Sequence, residues 1–151
     1  MIGSVIVDAV LERVLTGDAD VAAAFGDSVH GAEAVPGGKP TPALLYYMAA
    51  TSQYDGPAGL SADDVAAESL TYHVVALVAG TSYGRILPGV RAQMRALSGQ
   101  VFAGETDDEG RRYTVVFTAR GETPLRYRQP DPGTVYRALG TVYDVDITRE
   151  D

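Results

Sequence analysis

The run Tyr72–Ala79, YHVVALVA, is apolar on both faces of an extended chain. A strand of that kind has no side to give to water. It belongs in the middle of a sheet, covered on both sides by helices or by a partner chain. It closes the longest apolar segment, Val65–Ala79, and any fold must be built outward from it with at least one covering layer.

Two stretches can supply that layer. Ile2, Ile6, Val7, Val10, Leu11, Val14 and Leu15 recur at helical spacing, with Asp8, Glu12 and Arg13 opposite. This predicts an amphipathic helix from near Ser4 to Gly17 whose apolar stripe is wide for covering a single face. Asp18 or Asp20 can cap a short second helix, Val21–Phe25, which Gly26 ends. A second long amphipathic helix is expected over Ser82–Ser98, with Ile86, Val90, Met94 and Leu97 on one side. Leu87 lies beside them, and Arg85, Arg91 and Arg95 face away. Gly99 stops this helix, and Pro88 sits in its first turn or kinks it.

The remaining elements read as strands and turns. Ser28–Val35 is a short extended segment, followed by the loop Pro36–Pro42. Ala43–Thr51 reads as a strand, and the polar, glycine-rich stretch Ser52–Ser61 as a mobile loop. Val101–Glu105 and Arg112–Arg120 flank the turn Thr106–Gly110, which is a hairpin signature. Tyr113, Val115, Phe117 and Ala119 share one face of that hairpin. In the tail Tyr143, Val145 and Ile147 point inward, and Asp144, Asp146 and Thr148 outward. Leu125–Arg128 and Val135–Leu139 can add another pair around Pro130–Gly133. With no repeat and no linker, the expected fold class is α+β in a single domain, 1–151. Its sheet is expected to be mainly antiparallel, with two long amphipathic helices packed on it.

Composition narrows the function. The absence of cysteine removes thiolate metal sites and cysteine nucleophiles. No apolar run approaches the ~18 residues of a membrane span, and the first residues lack the basic region and cleavage site of a signal peptide. A soluble chain without membrane attachment is expected. The net charge of −8 is uneven. Residues 1–75 hold ten acids against Arg13 and Lys39, and residues 76–151 hold ten acids against ten arginines. A diffuse acidic surface repels phosphate backbones, which argues against a nucleic-acid reader.

Motifs for chemistry are incomplete. Gly80-Thr-Ser82-Tyr-Gly84 has the form of a nucleophile elbow between a strand and a helix. However, His30 and His73 both precede Ser82, and glycines punctuating a turn with Ser82 or Thr81 as cap explain the string. Glu105, Asp107 and Glu109 before Gly110 lack the bidentate glutamate of a calcium loop, where Val116 stands. They read as a solvated hairpin tip. Asp144 and Asp146 on one strand face find no further ligands and read as a polar sheet face. His73, within the most apolar strand, reads as a buried histidine donating to a backbone carbonyl. Tyr46, Tyr47 and Tyr72 read as sheet packing, and Tyr54 as available to a partner. The Ser52–Ser61 loop is expected to order on docking. No cofactor and no metal is expected, and the inventory argues against an enzyme.

The order of elements resembles that of the tail-completion proteins of long-tailed bacteriophages, in particular the tail terminator (tail-to-head joining) group. The likeness runs from Val5 to Ile147. It covers the opening helix Val5–Leu15, the small helix Val21–Phe25, the proline-bounded strand Thr41–Tyr47 and the buried strand Leu70–Ala79. It continues through the helix entered by Thr81-Ser-Tyr83 and ending at Gly99 to the glycine-interrupted strand Tyr136–Ile147.

The resemblance implies an α+β virion subunit with no catalytic residues, assembled in the host cytoplasm as a ring, usually of six. The ring would cap the tail tube and present a surface to the head–tail connector protein. The implied partners are copies of the chain itself, the tail tube protein and the connector. An acidic half facing the lumen would let DNA pass without specific binding. Expected contact residues are Ile6, Val7 and Leu11 on the wide helix face, Tyr54, Asp63 and Asp64, and Arg85, Arg91, Arg111 and Arg112. The acidic first half and the arginine-bearing second half would pair between head-to-tail neighbours. Two other classes stay open: a head-closure or connector neck protein, and a small hydrolase or ligand-binding domain using Ser82, His73 and an acid.

Overall fold

Helix α1 (Ile2–Gly17) buries Ile6, Val7, Val10, Leu11 and Leu15. The structure to which it belongs, a computed structural model, describes residues 2–37, 39–54, 67–80, 83–123 and 133–150. Helix α2 (Ala19–Phe25) starts at Asp18, whose carboxylate accepts from the N–H groups of Asp20 and Val21 at 3.0 Å each. These are donors that a helix start leaves orphaned. Helix α3 spans Leu87–Leu97 after a single 3-10 turn, Tyr83–Arg85. It is shorter than the expected Ser82–Ser98 element. Pro88 explains the late start: it occupies the first turn, where its missing N–H costs nothing, and one turn further in it would break the ladder. The expectation of two long helices is therefore corrected to one long helix and one of 11 residues.

Among the described residues, six strands form one sheet in the order β1-β2-β3-β6-β5-β4. They are β1 (Val29–His30), β2 (Ala43–Tyr54), β3 (Ala67–Ala79), β4 (Val101–Thr106), β5 (Arg112–Thr123) and β6 (Tyr136–Arg149). The sheet is mixed, which corrects the mainly antiparallel expectation. The extended segment after α2 contributes only the two residues of β1, which run parallel to Leu44 and Leu45 of β2. The connection from β1 to β2 returns over the sheet instead of making a hairpin. Val135 leads into β6, and residues 136–139 open it and pair with β3. Residues 125–128 lie outside the described residues.

The doubly apolar run lies where the pattern demands. β3 is flanked by β2 and β6 along its length. Leu70, Tyr72, Val74, Ala76 and Val78 face the helices and join one core with Tyr113, Val115, Phe117, Tyr143, Val145 and Ile147. On the opposite face Val75 and Leu77 join Val35, Ala43, Leu45, Tyr136 and Ala138 in a second cluster. Its cover is thus partly the chain's own segment around Val35, between β1 and β2. The pairing of β4 with β5 slips near Gly104 (φ +74°), and that of β5 with β6 near Gly121 (φ +110°). Glycine takes this left-handed backbone without strain, and such slips bend the outer strands.

Candidate assembly surfaces

The tip of the β4–β5 hairpin is built around Asp107. Its Oδ1 accepts from the backbone N–H groups of Glu109 and Arg111 at 2.9 Å. Its Oδ2 accepts from Arg111 Nε and the Tyr113 hydroxyl, both at 3.0 Å. Burial of this carboxylate, whose side chain is only 4% exposed, opposes ionisation. The Arg111 N–H, the Tyr113 hydroxyl, the Glu109 N–H and the Arg111 side chain outweigh it and hold the pKa below the ordinary value. Gly110 (φ +80°) completes the reversal. The tip is cross-linked by these bonds, and it presents Asp108 and Glu109 to solvent.

Between this tip and the outer side of α1 lies a groove of about 390 Å³ lined by Val5, Ile6, Ala9 and residues 105–108. Val5 is 67% exposed although apolar. Glu105 is held by Arg13, with Nη1 donating to Oε2 at 3.0 Å. The groove therefore has an apolar wall from α1 and, from the hairpin, a polar wall on which Glu105 and Asp107 are already engaged and Asp108 is exposed.

The opposite end of the sheet has the reverse character. There β3 ends, β6 begins, and Gly80 N–H donates to the Val135 carbonyl at 2.8 Å. Tyr83 (38% exposed) and Val135 (57% exposed) present apolar surface, with exposed Arg85 beside Tyr83. Arg85 and Arg95 also line a cleft with Asp20, Ala23, Ala24, Pro42 and Pro88. Arg85 and Arg91 make no ion pair among the described residues, whereas Arg95 reaches Asp20 at 3.6 Å.

The sheet face away from the helices is polar over the half that the second apolar cluster leaves bare. Asp144 receives Arg120 Nε at 2.9 Å, and Asp146 receives the Ser69 hydroxyl. The two carboxylates are thus engaged with protein donors. Among the described residues, no group of three or more His, Asp or Glu side chains is arranged to hold a metal ion. His73 is half-buried, with Nδ1 3.3 Å from the Tyr47 hydroxyl and the two rings edge to face at 5.4 Å. Its partner is therefore a tyrosine rather than the expected backbone carbonyl. Burial, followed by the charge of Arg120, lowers its pKa.

The contact residues expected from sequence divide sharply. Ile6, Val7 and Leu11 are buried in the subunit's own core, at 4%, 0% and 0% exposure, and are corrected to core positions. The stripe of α1 is wide because the helix touches α2 and α3 as well as the sheet. Arg111 is committed to Asp107 and Glu109, and Arg112 lies 3.4 Å from Glu150. Arg85 and Arg91 are exposed. Tyr54 ends β2, and Asp63 and Asp64, with most of the glycine-rich loop, lie outside the described residues. The two halves of the chain are not two halves of the molecule. Arg13–Glu105 and Arg95–Asp20 pair first-half with second-half residues within one subunit. Among the described residues, Val5, Met48, Tyr83, Val101 and Val135 are the large apolar side chains that the fold leaves exposed, and none was among the contact residues expected from sequence. Their signal was modest: Val5 flanks the buried stripe, with Ala9 four residues on.

Ser28 Oγ lies 3.0 Å from His30 Nε2, but it donates to the Pro40 carbonyl at 2.7 Å. With that proton committed, the histidine nitrogen is the donor and not the base. Ser28 is fully buried besides. Ser82 lies outside the described residues.

No protein-family model matches the chain, and no curated protein matches it. Among solved structures it is similar to a chain from the virion of native gene transfer agent (GTA) particle. The TM-score is 0.56, the identity 19%, and the match covers 91% of each chain. The likeness is one of fold. It runs through nearly the whole element order, so helices and sheet are shared together rather than one hairpin or one helix pair.

Proposed function

We propose that this protein is a structural subunit of a phage-like particle, which caps the tail tube as a ring of about six copies and joins it to the head connector. The observation that carries this reading is the whole-length fold likeness to a chain of a gene transfer agent virion. The element order that resembles tail terminators supports it independently. On this reading the chain is no enzyme and sits in the particle's neck. Its net charge of −8 lets DNA pass the lumen without being held.

Native mass spectrometry over a range of concentrations, with electron microscopy of the protein added to purified tail tubes, tests the proposal. The expected outcome is a closed oligomer, reached from monomer as concentration rises, that decorates tube ends. A protein that stays monomeric and ignores tubes would sink it. Decoration of isolated head connectors in place of tube ends would instead make it a head-closure component. Retention of duplex DNA at low salt would contradict the lumen argument.

A further inference from the structure

Two surfaces of the subunit are complementary and cannot meet within one copy. The first is the groove with Val5 and Ala9 on one wall and Glu105, Asp107 and Asp108 on the other. The second is the turn after β3, which presents the exposed ring of Tyr83 with the Arg85 guanidinium two residues on. The groove adjoins the start of β3, because the first turn of α1 lies against Glu68 and Ile147: a Cβ on Gly3 would come within 2.3 Å of Glu68 Oε1. The Tyr83 turn follows the end of β3 at Ala79. From Glu68 to Ala79 the strand advances roughly 36 Å at about 3.3 Å per residue. The surfaces therefore point away from one another along the sheet.

We infer that the Tyr83–Arg85 turn of one copy seats in the Val5–Ala9 groove of the next, with Arg85 facing Asp108. This rests on the ring reading above and names the contact that would build the ring. The occupant is a second copy because apolar surface and charge both match. Tyr83 and Val5 are two of the few large apolar side chains that the fold leaves in water. Among the described residues, neither Arg85 nor Asp108 is in an ion pair. The Asp107 network fixes the hairpin wall in place before any partner arrives, so little ordering is required on binding. A contact between different patches at opposite ends is heterologous, and it propagates until rotation closes the ring.

The chain has no cysteine, so introduced thiols are the only ones present. Val5→Cys and Tyr83→Cys are each prepared alone, mixed in equal amounts and oxidised. The expected product is a covalent dimer in the mixture and little in either variant alone, because a disulfide needs Cβ atoms about 3.5–4.5 Å apart. The doubly substituted chain should give a ladder ending at the ring. As a second arm, Arg85→Glu and Asp108→Arg should each weaken assembly about fivefold or more, and their combination should recover it. All four positions are on the surface, so circular dichroism of each variant should match the parent.

Rings by native mass spectrometry without the mixed disulfide would overturn this contact and leave the ring reading standing. A disulfide between two copies of the Val5→Cys variant would overturn it in favour of a two-fold contact. Failure of the parent chain to assemble at all would overturn both.

Discussion

The hydroxyl of Tyr143 donates to Oε1 of Gln93 at 2.6 Å, where both side chains are closed off from solvent. The amide's other end, Nε2, donates to Thr141 Oγ1 at 2.7 Å. Gln93 thus clamps α3 onto β6 through polar groups in an otherwise apolar layer, where the Tyr143 hydroxyl also meets the Thr141 side chain.

Gln93→Leu should destabilise the fold by about 1–3 kcal/mol for each group left unsatisfied. Adding Tyr143→Phe should recover part of the loss, because the hydroxyl that has lost its Gln93 acceptor is then removed. Urea denaturation of the two single variants and the double variant checks this. Additive losses would contradict the coupling.

Gly89 of α3 rests directly on α2. A Cβ there would fall 2.3 Å from Phe25 Cζ and 3.0 Å from Ala24 Cβ. Gly89→Ala should therefore cost about 1–3 kcal/mol by overpacking, although alanine is the better helix former. Shortening the ring with Phe25→Leu should make Gly89→Ala less damaging than it is alone. Thermal melts of the four-member set read this out.

Much of this layout was legible in the chain, and the failures share a cause. Apolar patterning identified α1 by its helical period and β3 by its doubly apolar run, and turn residues marked the β4–β5 hairpin. The capping chemistry of Asp18 was visible as well. Gln93 was missed because a polar residue reads as solvent-facing, although Ile86, Val90, Gln93 and Leu97 mark one helical stripe. Ile6, Val7 and Leu11 were assigned to a neighbour because the width of a stripe does not say whose atoms fill it. β1 and the parallel pairing were not legible, since two residues carry no period. The cover of Val75 and Leu77 comes from an irregular segment around Val35, and irregular segments leave no pattern.

Leu11→Asp separates the core from the assembly surface. Leu11 is fully buried, so the charged variant should lose about 4 kcal/mol or more. It should show a lowered melting temperature as a dilute monomer. A folded monomer with weakened assembly would return Leu11 to an interface.

The pH dependence has two signs. Asp107 has a depressed pKa in the fold, so its contribution is complete above its unfolded value of 3.8 and disappears as pH falls through the lower folded value. Asp107→Asn should be less stable than the parent at pH 7, with the gap narrowing in acid. Asp8 runs the other way. Burial raises its pKa above 3.8, only partly offset by the Tyr72 hydroxyl at 2.9 Å, so its ionisation costs stability as pH rises through that window. Asp8→Asn keeps an acceptor for Tyr72 and should be no less stable than the parent at pH 7. Denaturation midpoints at pH 3, 5 and 7 test both.

The position of β6 has a consequence for how the protein is made. β2 and β3, like β4 and β5, are neighbours in chain order, but the two pairs are hydrogen-bonded into one sheet only through β6, the last strand among the described residues. A ribosome therefore releases two half-sheets, each with an open inner edge that invites foreign strands, before the piece that joins them is available. Folding rate should be governed by the long-range closure of β6 against β3. A nascent chain cut short before Tyr136 loses the keystone of the sheet rather than a rim, and a chaperone that shields strand edges has most to do in that interval.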